Sequence, residues 1–124
     1  KIIKLKKVSN PAGDIIKYVD RNKFFFKGFG EIYFNEIKKG YQKGWNLHKK
    51  CTCLITVSFG SVNFTIRGKY KKSLKQITIK RKDPKLLIIP PNYWFKFRSN
   101  TKFSMIINLI NEPHNKNETL KSQI

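Results

Sequence analysis

Short apolar segments alternate with turn residues along most of the chain. The segments are rich in Ile, Val, Phe, Tyr and Thr, the residue types that favour strands. Turn signals such as Pro90-Pro91-Asn92 recur at roughly the 8 to 12 residue spacing that is typical of all-β domains. No apolar stripe with the helical period extends over about ten residues. The pattern therefore predicts an all-β sandwich or barrel with strands at Ile2–Val8, Ile15–Val19, Glu31–Ile37, Cys53–Ser58, Val62–Arg67, Leu74–Ile79, Leu86–Ile89 and Ser104–Leu109.

The chain has the size of one domain with one core. Its 124 residues, 40% of them hydrophobic, can bury roughly two thirds of the surface that the unfolded chain exposes. Alternation places Val62, Phe64 and Ile66 on one face of a strand, and Phe59-Gly60-Ser61 before it predicts a tight hairpin. The last part of the sequence is polar. We expect a single domain over residues 1–124, with residues 115–124 as a frayed tail or a short helix.

The formal net charge of +20 is the strongest anomaly of composition. Clustered cations are typical of proteins that bind nucleic acid, because they release counterions from phosphates. Here lysine outnumbers arginine by about six to one, and the lysines run from Lys1 to Lys121 without one dominant block. Proteins that read nucleic acid rely mainly on arginine for bidentate contacts. Nucleic-acid binding is therefore a secondary interpretation that the charge leaves open, and a field that attracts a small phosphorylated ligand fits equally well.

No apolar run approaches the roughly 20 residues that a membrane-spanning helix needs. The first ten residues also lack the charged start and long apolar block of a signal peptide. We therefore expect a cytoplasmic protein that does not enter a membrane.

The two cysteines, Cys51 and Cys53, are too close in sequence to close a useful disulfide loop. A single Cys-x-Cys without further cysteines or a histidine pair is also a weak signal for a metal site. We expect both thiols to be buried and to pack as small apolar groups.

The segment from Gly40 to Gly60 resembles the first signature of the cupin β-barrels. That signature consists of Gly, five residues, His-x-His, three or four residues, Glu, six residues and Gly. The spacing is kept here, but Asn46 stands at the first His and Cys53 at the Glu, so that only His48 matches a metal ligand.

The second cupin signature, which contains Pro-x-Gly and a His three residues later, resembles Pro90-Pro91-Asn92 with Phe95 at the position of that His. One histidine therefore remains of four metal ligands. A divalent site with a single firm ligand is not credible, so the resemblance implies a cupin barrel with no metal and no other cofactor.

Four further segments narrow this resemblance. In order they are Gly30–Phe34, Lys43–Lys49, Ile89–Phe97 and Asn108–His114. Together they are similar to the metal-free cupins related to dTDP-4-dehydrorhamnose 3,5-epimerase and to the dTDP-sugar 3,4-ketoisomerases. This resemblance implies a double-stranded β-helix, or jelly roll, that forms a homodimer and binds a nucleotide sugar inside the barrel. It also implies a role in deoxysugar or surface-polysaccharide biosynthesis.

The resemblance implies metal-free proton transfer next to a sugar ketone, in which a base removes a carbon-bound proton and hydrogen-bond donors stabilise the enolate. The epimerase base falls on Asn46 and the epimerase acid falls near Asn108, and neither amide can serve in that way. His48 is the second member of the histidine pair that the ketoisomerases use. It is the candidate base, or else it only positions the ligand, and Asn46 would bind substrate or polarise its carbonyl.

Several cations and aromatic residues suit an anionic ligand with a planar base. The candidates for phosphate are Lys43, Lys50, Arg67 and Arg98, and the candidates for stacking are Trp45, Tyr93 and Trp94. For each of these the alternative is a solvated charge or ordinary aromatic packing. Tyr33 could act as an acid, although core or interface packing is the preferred interpretation, and His114 is interpreted as structural or exposed.

Two main hypotheses follow. One is an isomerase or epimerase that acts on a dTDP-4-keto-6-deoxyhexose, and the other is a cupin that binds a sugar nucleotide without catalysis. A basic nucleic-acid-binding protein is the third alternative.

Overall fold

Twelve strands make up the regular structure of the described part of the chain. The computed structural model describes residues 1–68, 74–113, 115, 117 and 119–121. The strands are β1 (Ile2–Lys4), β2 (Lys6–Val8), β3 (Ile15–Lys17), β4 (Glu31–Lys38), β5 (Gln42–His48), β6 (Cys53–Phe59), β7 (Ser61–Arg67), β8 (Leu74–Lys80), β9 (Lys85–Ile89), β10 (Trp94–Ser99), β11 (Phe103–Ile110) and β12 (Thr119–Lys121). The predicted all-β class is confirmed.

The strands form two antiparallel five-stranded sheets and one hairpin. The first sheet has the order β1-β9-β6-β11-β4, and the second has the order β12-β5-β10-β7-β8. The hairpin consists of β2 and β3. From β4 onward, successive strands alternate between the two large sheets in the manner of a jelly roll, except that β7 and β8 are neighbours in the second sheet. β4 is an edge strand of the first sheet. β12 is an edge strand of the second sheet and pairs with β5.

Each of the eight predicted segments contains a strand, with bounds that shift by one or two residues. The first predicted segment is divided at Leu5, which separates β1 from β2. Three strands, β5, β10 and β12, lie outside the predicted segments. The expectation of a frayed tail or a short helix is wrong for Thr119–Lys121, because these residues pair with β5 as strand β12. Within the described residues, no helix is long and apolar enough to cross a membrane.

The main core lies between the two sheets. Alternation buries Val62 and Phe64 of β7, with Ile66 packed against them, as the sequence predicts. Neither Cys51 nor Cys53 forms a disulfide, and both side chains are fully buried in this core, which confirms the expectation of burial. Most of the residues that face each other across the sheets are aliphatic or aromatic. Buried polar side chains form a serine cluster around Ser99 and Ser104, whose hydroxyls are 2.6 Å apart, and a second group that includes His48 and Asn108.

The N-terminal segment covers part of the outer face of the first sheet. Leu5 and Phe25 pack there on a second apolar cluster that includes Leu54, Leu86 and Leu109. The Tyr18 hydroxyl donates to the carbonyl of Leu54 and lies 3.3 Å from the carbonyl of Ile107. Burial raises the pKa of Tyr18 above its ordinary value.

Candidate functional site

A small polar cavity lies inside the barrel, where β4 of the first sheet faces β5 and β12 of the second. Its volume is about 100 Å³. Polar side chains make up most of its lining, in contrast to the apolar residues of the main core. The lining residues are Tyr33, Asn35, Asn46, His48, Phe95, Phe97, Ile106, Asn108, Thr119 and Lys121.

His48 lies at the end of β5 and is only 7% exposed. Its Nδ1 is 3.1 Å from the hydroxyl oxygen of Thr119, which is its register partner in β12. Its ring stacks on Phe95, with the ring centroids 6.0 Å apart and an angle of 27° between the planes. Neighbours therefore fix both the plane and one nitrogen of the imidazole. Such orientation is what a general base needs.

Asn46 and Lys43 share the inner face of β5 with His48. Asn46 and Lys43 are three positions apart, an odd spacing that would place them on opposite faces of a regular strand. Asn46 lies opposite Phe95 of β10, and Lys43 lies opposite Phe97, because the register shifts between these two pairs. This irregularity breaks the simple alternation of the strand. The ammonium of Lys43 donates to the Asn35 side-chain oxygen at 2.6 Å and so links β5 to β4 across the gap between the sheets.

Asn108 is the most deeply buried polar group of the cavity, at 2% exposure. Its Nδ2 donates to the hydroxyl of Tyr33 at 2.8 Å, and its Oδ1 is buried without a hydrogen-bond partner. A buried acceptor of this kind is costly to leave unpaired, which makes it a place for a ligand hydroxyl.

Tyr33 lines the cavity beside Asn108, and burial raises its pKa to about 12. Its phenol is protonated at neutral pH and can donate a hydrogen bond to an oxygen that gains negative charge. The sequence interpretation preferred a packing role for Tyr33. Tyr33 lies two residues before Asn35 in β4, so both side chains are on the inner face of the strand. The period-2 alternation of the sequence could have predicted that Tyr33 faces the cavity.

The other predicted residues do not join this cavity. Arg67, Trp45 and Arg98 line a separate cleft on the outer face of the second sheet. The guanidinium carbon of Arg67 is 4.8 Å from the centroid of the Trp45 ring. Trp94 pairs with Arg67 in the register of β10 and β7, so that it shares this outer face. The predicted set for phosphate and stacking is thus divided between the two faces of one sheet.

Two further predicted residues lie in connecting segments. Lys50 is exposed in the turn after β5, and Tyr93 is exposed in the turn before β10. His114 lies outside the described residues. Within the described part of the chain, no three His, Cys, Asp or Glu side chains lie close enough together to hold a metal ion.

The cavity can bind a neutral polar group and can move a proton. Its described lining combines the imidazole of His48, the phenol of Tyr33, the ammonium of Lys121 and three amides, and it includes no carboxylate. Amide and phenol donors suit a carbonyl oxygen or the enolate that forms from it. An imidazole is the side chain that most often acts as a general base.

The fold is that of the cupin barrels, and it is shared with sugar-nucleotide isomerases and epimerases. The dTDP sugar isomerase of Desulfovibrio desulfuricans G20 superposes with a TM-score of 0.90 at 26% identity, covering 98% of this chain and 82% of that one. The dTDP-4-dehydrorhamnose 3,5-epimerase of Elizabethkingia anophelis NUHP1 has the same fold, with a TM-score of 0.84 at 13% identity over 99% of this chain and 74% of the other.

The chain belongs to the FdtA family, described as WxcM-like, C-terminal, whose model matches residues 1–123. A His-to-Asn mutant of the 3,4-ketoisomerase QdtA from Thermoanaerobacterium thermosaccharolyticum also shares the fold. It has a TM-score of 0.85 at 20% identity, covering 98% of this chain and 86% of that one. No curated protein matches the chain. The predicted family and the predicted cupin barrel are confirmed.

Proposed function

We propose that the barrel cavity binds the sugar of a dTDP-4-keto-6-deoxyhexose and that His48 moves a proton on that sugar. The observation that supports this most is the grouping of His48, Asn46, Asn108 and Tyr33 around one cavity inside the barrel. Solved relatives include a dTDP sugar isomerase and a mutant 3,4-ketoisomerase in complex with TDP-4-keto-6-deoxyglucose.

The proton transfer would begin at a carbon next to the sugar ketone. The imidazole of His48 accepts the proton from that carbon, the C–H electron pair becomes a C=C bond, and the carbonyl oxygen becomes an enolate. Donors from Asn46 and Tyr33 would stabilise this oxygen. Return of the proton to the same carbon on the other face of the ring completes an epimerisation. For an isomerisation, the enolate oxygen gains a proton, the hydroxyl on the deprotonated carbon loses its proton and becomes the new carbonyl, and a proton returns to the carbon that bore the ketone.

Binding of the ligand would also use the buried acceptor Asn108 Oδ1 and the two lysines near the opening of the cavity. A sugar hydroxyl could donate to Asn108 Oδ1, which has no partner within the protein. Lys43 and Lys121, both exposed where the cavity opens, would face the diphosphate. A cavity of about 100 Å³ is smaller than usual ligand pockets, so the nucleotide would extend outside the barrel. Deoxysugar or surface-polysaccharide synthesis in the cytoplasm is the setting that we propose.

A second candidate function is binding without catalysis. Asn46 and Phe95 occupy the cavity beside His48, and neither can donate or accept a proton in a reaction step. The QdtA mutant has an asparagine in place of one histidine, and its structure contains TDP-4-keto-6-deoxyglucose. A cupin with one histidine and one asparagine could therefore keep the ligand and lack turnover.

Calorimetry followed by deuterium exchange separates these functions. We would titrate dTDP and then TDP-4-keto-6-deoxyglucose at near-physiological salt, and follow the sugar by NMR in D2O. A base that removes a carbon-bound proton introduces deuterium even when the equilibrium of the sugars does not change. The variants are His48→Ala and, as the matched control, His114→Ala.

We expect saturable binding by the parent chain, deuterium incorporation, and loss of at least about a hundredfold of this exchange in His48→Ala. The affinity should stay within a few fold, and His114→Ala should behave as the parent. Binding without exchange in the parent would instead support the second function, and Asn46→His should then introduce exchange. Absence of dTDP binding would contradict both functions.

A further inference from the structure

The outer face of the second sheet contains a cationic cleft that is separate from the barrel cavity. Its volume is about 210 Å³. Arg67 of β7 and Lys96 and Arg98 of β10 line it, and none of its lining residues is acidic. The register places Lys96 opposite Thr65 and Arg98 opposite Asn63, so that cations alternate with small polar groups across neighbouring strands.

Trp45 forms the floor of this cleft and fixes two of the cations. The Arg67 guanidinium carbon and the Lys96 ammonium lie 4.8 Å and 4.7 Å from the centroid of its ring. The indole is buried, so it cannot also stack on a base or sugar. Attraction between a cation and the ring face holds both charges near each other, although they repel one another. The cleft is therefore arranged before any ligand binds.

The guanidinium of Arg67 also has an unsatisfied donor. Its Nε is buried and has no hydrogen-bond partner among the residues that the structure describes. A buried donor without a partner is rare in folded proteins, and each case calls for an explanation such as a missing ligand. An anionic oxygen at this point would satisfy the donor and neutralise part of the charge.

We propose that this cleft binds a phosphate group of a small ligand, with Arg67, Lys96 and Arg98 as the charged contacts. The arginine forks match phosphate oxygens, and Thr65, Asn63 and Gln76 supply neutral hydrogen-bonding groups. The volume is below the 300 to 1,000 Å³ that is usual for drug-sized ligands, which favours a compact anion such as diphosphate over an entire nucleotide sugar.

The site lies on the opposite side of the sheet from His48. On β10, Phe95 and Phe97 face the barrel interior, and the residues between and after them face the cleft. Occupation of one site therefore does not exclude occupation of the other. The proposal does not depend on turnover or nucleotide binding in the barrel.

Calorimetric titration of inorganic pyrophosphate at about 0.15 M ionic strength tests the proposal. The variants are Arg67→Gln and Arg98→Gln. Because Arg98 is exposed, its replacement leaves the fold intact even if the half-buried Arg67 is needed for folding. Arg21→Gln is the matched control, since it removes the same charge from an exposed position on the N-terminal segment. Lys43→Gln, titrated with the barrel saturated with dTDP, instead removes a cation that contacts Asn35 beside the barrel cavity.

We expect saturable binding of pyrophosphate that weakens about tenfold in Arg67→Gln and in Arg98→Gln, with little change in Arg21→Gln or Lys43→Gln. Saturating dTDP should leave this binding unchanged. Equal losses in all four variants would mean that only the overall charge attracts the anion, and would overturn the proposal. So would loss of binding in Lys43→Gln alone, absence of saturation, or displacement by duplex DNA with a steep dependence on salt.

Discussion

At the scale of single residues, the barrel cavity differs from a typical acid–base site because amides are as numerous as titratable groups among its described lining residues. Asn35, Asn46 and Asn108 line it together with Tyr33, His48 and Lys121. Amides bind a carbonyl well but do not exchange protons with it. The proposed reaction therefore depends on His48 and on the phenol of Tyr33.

Buried phenols make the stability of the fold depend on pH in the alkaline range. Burial raises the pKa of Tyr33 to about 12, and it raises the pKa of Tyr18 as well. Below the ordinary tyrosine pKa of about 10, both folded and unfolded chains keep these protons, so the contribution is fully present. Above it, the unfolded chain loses protons that the folded chain retains, and the free energy of unfolding falls until the raised pKa is passed.

Urea unfolding at several pH values between 8 and 11 measures this effect. We expect the decline to be less steep in Tyr18→Phe and Tyr33→Phe than in the parent. Tyr41→Phe is the control, because Tyr41 is exposed in a turn and its replacement should leave the decline unchanged. Lysines titrate in the same range in every variant, so the differences isolate the tyrosines. Identical declines in all four proteins would contradict the role of burial.

The structure brings together one part of the site that the sequence predicted and separates the rest. Asn46 and His48 were predicted to face the barrel interior and Asn108 to bind the same ligand, and all three line one cavity. Arg67 and Arg98 were assigned to the same ligand, but they lie on the outer face of the sheet. Composition identifies such residues as suitable for phosphate. The face that they occupy depends on pairing between strands that are distant in sequence.

At the scale of elements, the strands that the sequence predicted are those with a β-branched or apolar face. β5 was not among them because Gly44 and Lys43 interrupt its apolar pattern, and its register shift also breaks the period of two. β12 has only one apolar residue, Leu120, and it forms because β5 offers an unpaired edge. Such strands are determined by their neighbours, and local propensity does not reveal them.

Three glycines in connecting segments give a prediction about stability, and the first is Gly60 in the β6–β7 hairpin. Gly60 has φ of +85°, and an added Cβ would lie 2.7 Å from both the Phe103 carbonyl and the Thr101 hydroxyl and would also collide with the Ser104 hydroxyl. Gly60→Ala should lower the free energy of unfolding by about 2 kcal/mol or more, since it combines strain with overlap.

Two other glycines separate these causes. Gly40 has φ of +92° with open space around it, so Gly40→Ala should cost about 1 to 2 kcal/mol from strain alone. Gly68 lacks both features, and Gly68→Ala should change stability by no more than about 0.5 kcal/mol. Chemical denaturation of the three variants measures how much each lowers the free energy of unfolding. Equal losses in Gly60→Ala and Gly40→Ala would show that the overlap at Gly60 is relieved without cost.

At the scale of the whole molecule, the first sheet has one half of its outer face covered and the other half bare. The N-terminal segment covers the half near β9 and β6, as described above. On the outer side of β4, Ile32 and Phe34 are 47% and 69% exposed. Glu36 and Lys38 continue this row and offset each other's charge, so it is a less positive part of a chain with net charge +20. We propose this face as the contact of the expected homodimer, because two copies could meet there with little repulsion.

Light scattering coupled to size-exclusion chromatography tests this contact. Phe34→Lys should convert a dimer into a monomer, because it places a charge within an apolar interface. Phe24→Lys is the matched control, since Phe24 is equally exposed on the N-terminal segment and should leave the dimer intact. A monomeric parent chain, or a dimer that survives Phe34→Lys, would contradict the proposed contact.

The position of the two tryptophans has an optical consequence. The chain contains two tryptophans, and both Trp45 and Trp94 lie on the outer side of the second sheet. Cations rest on the ring of Trp45. The indole emission of this protein therefore originates from one side of one sheet, and a change in its wavelength or intensity reports events at the outer cleft rather than inside the barrel.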